Sequence, residues 1–117
     1  MKKVVKITAP QEVADAYRMI KDKIDYPILL HDKWAFENFL TMDGKIDVLL
    51  SIEAFSSPGS IKRDGAITVY VEEELLKQLE DQAEKLNVKR NTLMIQAIKN
   101  YCIFRGKEIG INFEWSF

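Results

Sequence analysis

Between Ala66 and Phe104 the chain switches its hydrophobic period once, and that switch narrows what it can fold into. The stretch reads AITVYVEEELLKQLEDQAEKLNVKRNTLMIQAIKNYCIF. Ile67, Val69 and Val71 alternate with Ala66, Thr68 and Tyr70, which predicts a strand with one apolar face. From Glu72 to Leu86 the apolar residues Leu75, Leu76, Leu79, Ala83 and Leu86 fall at helical spacing. Glu72, Glu73 and Glu74 occupy the first turn, where negative charge complements the helix dipole. Asn87 tolerates the left-handed conformation that ends helices. Asn91 offers a side-chain oxygen as the cap of a second helix. Leu93, Met94, Ala97, Ile98, Tyr101 and Cys102 share one side of that helix.

One strand and two helices cannot bury this much apolar surface alone. A lone strand also has two unpaired edges, which a copy of itself would satisfy. The pattern therefore predicts an intertwined homodimer built on a two-stranded antiparallel ribbon.

Strand ITVYV, helix EELLKQLEDQAEKLNV and helix KRNTLMIQAIKNY together resemble the ribbon-helix-helix fold of small bacterial, phage and plasmid repressors. The resemblance implies a ribbon lying in the major groove of double-stranded DNA. By position it implies Ala66, Thr68 and Tyr70 as base readers. It implies Lys89, Arg90 and Asn91 as a phosphate clamp at the start of the second helix. Lys62 and Arg63, just before the strand, would lie on the ribbon's side and add phosphate contacts. Three positions depart from the family's pattern. Asn87 stands where Gly is usual, and Lys89 where Ser or Thr is usual. The strand face carries Ala, Thr and Tyr, where Arg, Lys or Gln is common.

The net charge of −1 sets no basic excess beside that reading, so the placement of charge matters more than its sum. In the dimer that the resemblance implies, Lys62, Arg63, Lys89 and Arg90 would lie on the ribbon side, and Glu80, Asp81 and Glu84, on the first helix, away from it. With 47% hydrophobic and 30% charged residues the 117-residue chain has the make-up of a globular protein. MKKVVKITAP has no apolar core of a signal peptide, and no apolar run approaches the length of a membrane span. A single cysteine, Cys102, fits a reducing cytoplasm and, at its position, a core role.

The first 57 residues read as a separate α/β domain of the order β-α-β-α-β, preceding a ribbon-helix-helix domain over 58–117. Lys3 to Thr8 form its first strand. Thr8 and Gln11 have capping-box spacing, and Pro10 suits a first helical turn. Val13, Ala16, Tyr17, Ile20 and Ile24 make the stripe of a helix. After Pro27, Ile28 to Leu30 read as a short buried strand. Asp32 caps a helix over 33–42, and Lys45 to Glu53 alternate as a third strand. Ser56 to Ser60 form a linker, and no internal repeat is legible. Beyond a stop at Arg105-Gly106, Ile109, Ile111, Phe113, Trp115 and Phe117 alternate as a C-terminal strand. The fold class expected is thus α+β. Ile95 and Ile103, on the side of their helix that would ordinarily be polar, imply that another layer covers it and that the halves pack together.

No catalytic constellation emerges. His31-Asp32 is the one histidine-acid pair, and a lone His beside an apolar run is more often structural than a base. One His and one Cys do not make a usual zinc site, and the five glycines are scattered. Trp34, Phe36 and Phe39 have the spacing of core residues. Neither enzyme activity nor a cofactor or metal is expected. The expectation is a homodimeric operator-binding repressor. The alternative is a protein-interaction module, an antitoxin or phage-encoded inhibitor, that engages a protein partner through residues 1–57 or 109–117.

Overall fold

The computed structural model describes residues 2–24, 28–41 and 65–113. Along the chain these form β1 (Lys2–Ala9), α1 (Gln11–Lys23), α2 (Ile28–Thr41), β2 (Gly65–Glu72), α3 (Glu73–Leu86) and α4 (Arg90–Glu108). β2 finds its partner inside the same chain. It pairs antiparallel with β1, from Lys2 opposite Glu72 to Ala9 opposite Gly65. The ribbon expected between two copies is closed within one.

Two expectations about architecture are overturned. The N-terminal part is not a β-α-β-α-β unit, because Ile28 to Leu30 form the first turn of α2 rather than a strand. The apolar run after Pro27 looked extended because it shows no period. A helix apolar on most sides, however, has no stripe to show. Asp32 is consequently inside the helix, not its cap. The third expected strand, 45–53, lies outside the described residues, as do Ser56 to Ser60.

Nor is there a C-terminal strand among the described residues. α4 runs through Gly106 to Glu108 and closes with a left-handed Gly110 at φ 74°. Ile111 N–H donates to Gly106 C=O at 2.9 Å, and Gly110 N–H donates to Lys107 C=O at 3.4 Å. These two bonds satisfy carbonyls that the helix end would otherwise leave open. Phe113 then folds back on Gly106, so closely that a Cβ there would sit 2.7 Å from its ring. The alternation of Ile109, Ile111 and Phe113 is real, but the turn at Gly110 prevents an extended segment before Phe113. α3 ends the same way at Asn87 (φ 57°), with Val88 N–H bonded to Ala83 C=O. At the helix starts no side chain caps α1 or α4; their N-cap residues are Pro10 and Lys89.

The described elements are therefore strand-helix-helix, twice. Gln11 and Glu73 open the first helices and Ile28 and Arg90 the second, in both cases sixty-two positions apart. Lys6 and Thr68 are separated by the same interval and face each other in the ribbon. That pair marks a two-fold pseudo-axis, which relates Val5 to Ile67, Ile7 to Val69 and Ala9 to Val71. All six are buried. Over the aligned described residues, only Glu12/Glu74, Lys23/Lys85, Ala35/Ala97 and Asn38/Asn100 are identical, which is why no repeat was legible.

The halves interlock. α1 and α2 both pack against α4, α2 also lies on β2 and α3, and α4 reaches β1. One continuous core joins Ile7, Val13, Tyr17, Phe36, Val69, Leu79, Leu93 and Ile98. α4 is its central helix, with every residue from Thr92 to Lys99 buried. Ile95 is fully buried, as its odd placement implied, and Ile103 partly so. Cys102 is core, its thiol pushed up to about 12 by burial. Among the described residues no helix is long and apolar enough to cross a membrane.

Candidate nucleic-acid interface

The strand period fixes the ribbon's two faces. From Val5 to Ala9 and from Gly65 to Val71 the residues facing inward are buried, and the alternate residues Lys2, Val4, Lys6 and Thr8 of β1 and Ala66, Thr68, Tyr70 and Glu72 of β2 face outward and are exposed. They form four cross-strand rows: Lys2 with Glu72, Val4 with Tyr70, Lys6 with Thr68, and Thr8 with Ala66. The three expected reading residues, Ala66, Thr68 and Tyr70, thus share one surface. β1 supplies what β2 lacks. Lys6 is a long cationic donor at the centre of the face, and Thr8 adds a hydroxyl. Val4 is 63% exposed and Tyr70 41%, an apolar pair that water does not favour on a free ribbon.

Sequence reasoning missed β1 as half of this face. The signal was present, since Val5 and Ile7 alternate with Val4, Lys6 and Thr8 as Ile67 and Val69 do with Ala66, Thr68 and Tyr70.

Lys89 is the N-cap residue of α4 and is exposed. Arg90 and Asn91 are half-buried in the first turn. Arg90 donates to Asn91 Oδ1 at 3.2 Å and lies 3.5 Å from Glu80, so its charge is partly committed. Lys62 and Arg63 lie outside the described residues.

The face rests on a buried polar cluster. Asp32, on α2 and fully buried, accepts the Tyr70 backbone N–H at 3.0 Å through Oδ2. Its Oδ1 accepts the Tyr17 hydroxyl and an ion pair from Lys21 Nζ at 3.1 Å. Burial, then the adjacent Asp32, holds the Tyr17 phenol well above its ordinary value, so it stays a donor. Lys21 also lies over the Tyr17 ring, 4.2 Å from its centre. Asp32 therefore ties a strand of one half to the helices of the other through charge-assisted bonds. Beside it, His31 shares a hydrogen bond with the Tyr101 hydroxyl, which also accepts from Arg105 Nε at 3.2 Å. His31 is fully buried within the core.

Two grooves flank the ribbon. A pocket of about 160 Å³ between α1 and β2 carries Arg18 and Lys21 beside Ala66 and Thr68. One of about 190 Å³ at Lys3 and α3 carries Glu73, Lys77 and Glu80. No family model, curated protein or solved structure matches the chain.

Proposed function

We propose that this chain is a DNA-binding protein of the ribbon-helix-helix type, a transcriptional repressor whose ribbon enters the major groove of duplex DNA. The observation that carries the reading is the outward face of the β1–β2 ribbon. A two-stranded ribbon has the width of the major groove. This one presents Lys6, Thr8, Thr68 and Tyr70 on a strand pair whose other face is anchored in the core. Lysine suits the acceptor edge of guanine, threonine either pair, and the methyl and ring groups of Val4, Ala66 and Tyr70 suit thymine methyls. Lys89 and Arg90 at the α4 N-terminus add phosphate contacts that position without reading. One chain supplies both strands, so the binding unit needs no second copy.

Titration of a random duplex over a salt series tests this. If three or four cations meet phosphates, log affinity should fall against log salt with a slope of roughly −2.7 to −3.6. Absence of binding at low salt would reject the reading. The protein-partner alternative would then stand, with the exposed Phe104 beside Trp34, ring centres 5.3 Å apart, as its surface.

A further inference from the structure

We infer that a single chain occupies each DNA site and that the site it prefers is not a palindrome. The inference rests on the DNA-binding reading and deepens it. A palindromic operator presents the same base edges to each half of a protein whose halves are identical. Here the two-fold pseudo-axis passes through the Lys6/Thr68 pair, and the outward residues it relates differ in size, charge or polarity. Val4 corresponds to Ala66, Lys6 to Thr68, and Thr8 to Tyr70. On one side of the axis the face carries the Val4/Tyr70 row, an isopropyl group and a phenol, with the charged Lys2/Glu72 row beyond it. On the other it ends in Thr8/Ala66, one hydroxyl and two methyl groups. Lys6 has no cationic counterpart and can engage one guanine edge at the centre, not two.

The flanks repeat the imbalance. The start of α4 carries Lys89, Arg90 and Asn91, while the aligned sequence positions before and within α2 are Pro27, Ile28 and Leu29. One helix start therefore has cations for a phosphate and the other has none. The groove beside β2 carries Arg18 and Lys21 with no acid among the described residues that line it, whereas in the groove across the ribbon Lys3 and Lys77 are balanced by Glu73 and Glu80. Identical half-sites would waste these differences. Two unlike half-sites, one rich in thymine methyls under Val4 and Tyr70, would use them.

Selection of duplexes from a randomised pool with the full chain tests this, followed by sedimentation of the complex and hydroxyl-radical footprinting. The expected site lacks dyad symmetry, carries one chain, and is protected unequally on its two strands. Rebuilding it as a palindrome from either half should weaken binding roughly ten- to hundredfold. A second variant gives an independent readout. Val4→Ala with Lys6→Thr and Thr8→Tyr gives the three central β1 positions the residues that β2 carries at Ala66, Thr68 and Tyr70, at exposed positions that the core does not need. It should erase the preference for the asymmetric site over the palindrome built from the half that β2 reads. A selected palindrome bound by two chains would overturn the inference and leave the DNA-binding reading intact. Failure to bind any duplex at low salt would overturn both.

Discussion

The two strand-helix-helix halves trace the same path with different interiors. Where the first half has Tyr17, Lys21 and Asp32, the second has Leu79, Ala83 and Met94 at the aligned positions. Leu79, Ala83 and Met94 are buried and apolar, whereas Tyr17 and Lys21 converge on the buried carboxylate of Asp32. The backbone path does not require the polar cluster, since its counterpart does without one. What the cluster adds is a contact across halves, from Asp32 to the Tyr70 N–H of β2. A ribbon made of two copies of β2 could not offer that combination. The polar half thus ties β2 to its own chain's α2, a specificity role for which buried charge is suited even when it adds little stability.

Breaking the cluster gives the largest expected effect. Asp32→Ala removes the acceptor for Tyr17, Lys21 and the Tyr70 N–H together and should cost about 3–5 kcal/mol. Thermal unfolding should show a fall of roughly 15 °C or more. Converting the first half to the second's solution, with Tyr17→Leu, Lys21→Ala and Asp32→Met, should recover stability to within about 2 kcal/mol of the parent. If the triple variant is no more stable than Asp32→Ala, the halves are not interchangeable in packing and the comparison fails.

A second pair of positions separates the halves in the opposite sense. Ile95 is fully buried on α4, and its counterpart Lys33 is exposed on α2, 4.0 Å from Glu37. Ile95→Lys should destabilise by about 3 kcal/mol, from lost apolar burial and a charge left in the core. Lys33→Ile should stay within about 0.5 kcal/mol, because an exposed pair at that spacing contributes little. Denaturant titration of both variants decides it. Equal effects would mean that α2 and α4 are covered alike.

What was legible in the sequence follows this division. β2, α3 and α4 were readable because Ile67, Val69 and Val71 alternate cleanly and Leu75, Leu76, Leu79 and Ala83 keep a helical stripe beneath an acidic first turn. β1 and α1 were readable for the same reason. α2 was not, since Ile28, Leu29 and Leu30 run together and Asp32 looks like a cap while serving as a tertiary acceptor. The tail was misread because alternation at Ile109, Ile111 and Phe113 cannot report the left-handed turn at Gly110. The pairing of β1 with β2 depends on contacts between segments far apart, and four shared residues do not announce a repeat. Half of the candidate site was therefore found, on β2, and half was missed at Val4, Lys6 and Thr8.

The outer face offers a smaller test of the same asymmetry. Lys6→Ala and Tyr70→Ala should each cost about 1–3 kcal/mol in binding to a selected site if they touch base edges. Both residues are exposed, so the melting temperature should hardly move. Lys89→Ala should weaken all duplexes alike and reduce the salt slope by about one unit. If Lys6→Ala changed only the salt slope, its role would be phosphate contact rather than reading.

The smallest expected effect concerns pH and again falls on the first half alone. His31 is buried where the second half has the equally buried Leu93. Burial lowers its pKa from the ordinary value, helped by the nearby charges of Arg105 and Lys21, while the Ile24 backbone and Asp32 act the other way. In the folded chain the ring is therefore neutral at a pH where the unfolded chain's histidine already binds a proton. The unfolded state then holds more protons, so stability falls as pH drops from about 6.5 through the lowered folded value. The slope cannot exceed about 1.4 kcal/mol per pH unit for one group. Urea unfolding between pH 5.5 and 7.5, above the ordinary carboxylate range, isolates this proton. His31→Leu should cost about 1 kcal/mol at neutral pH, because Tyr101 loses a hydrogen-bond partner, and should flatten the profile. An unchanged slope in the variant would place the titrating group elsewhere and remove this difference between the halves.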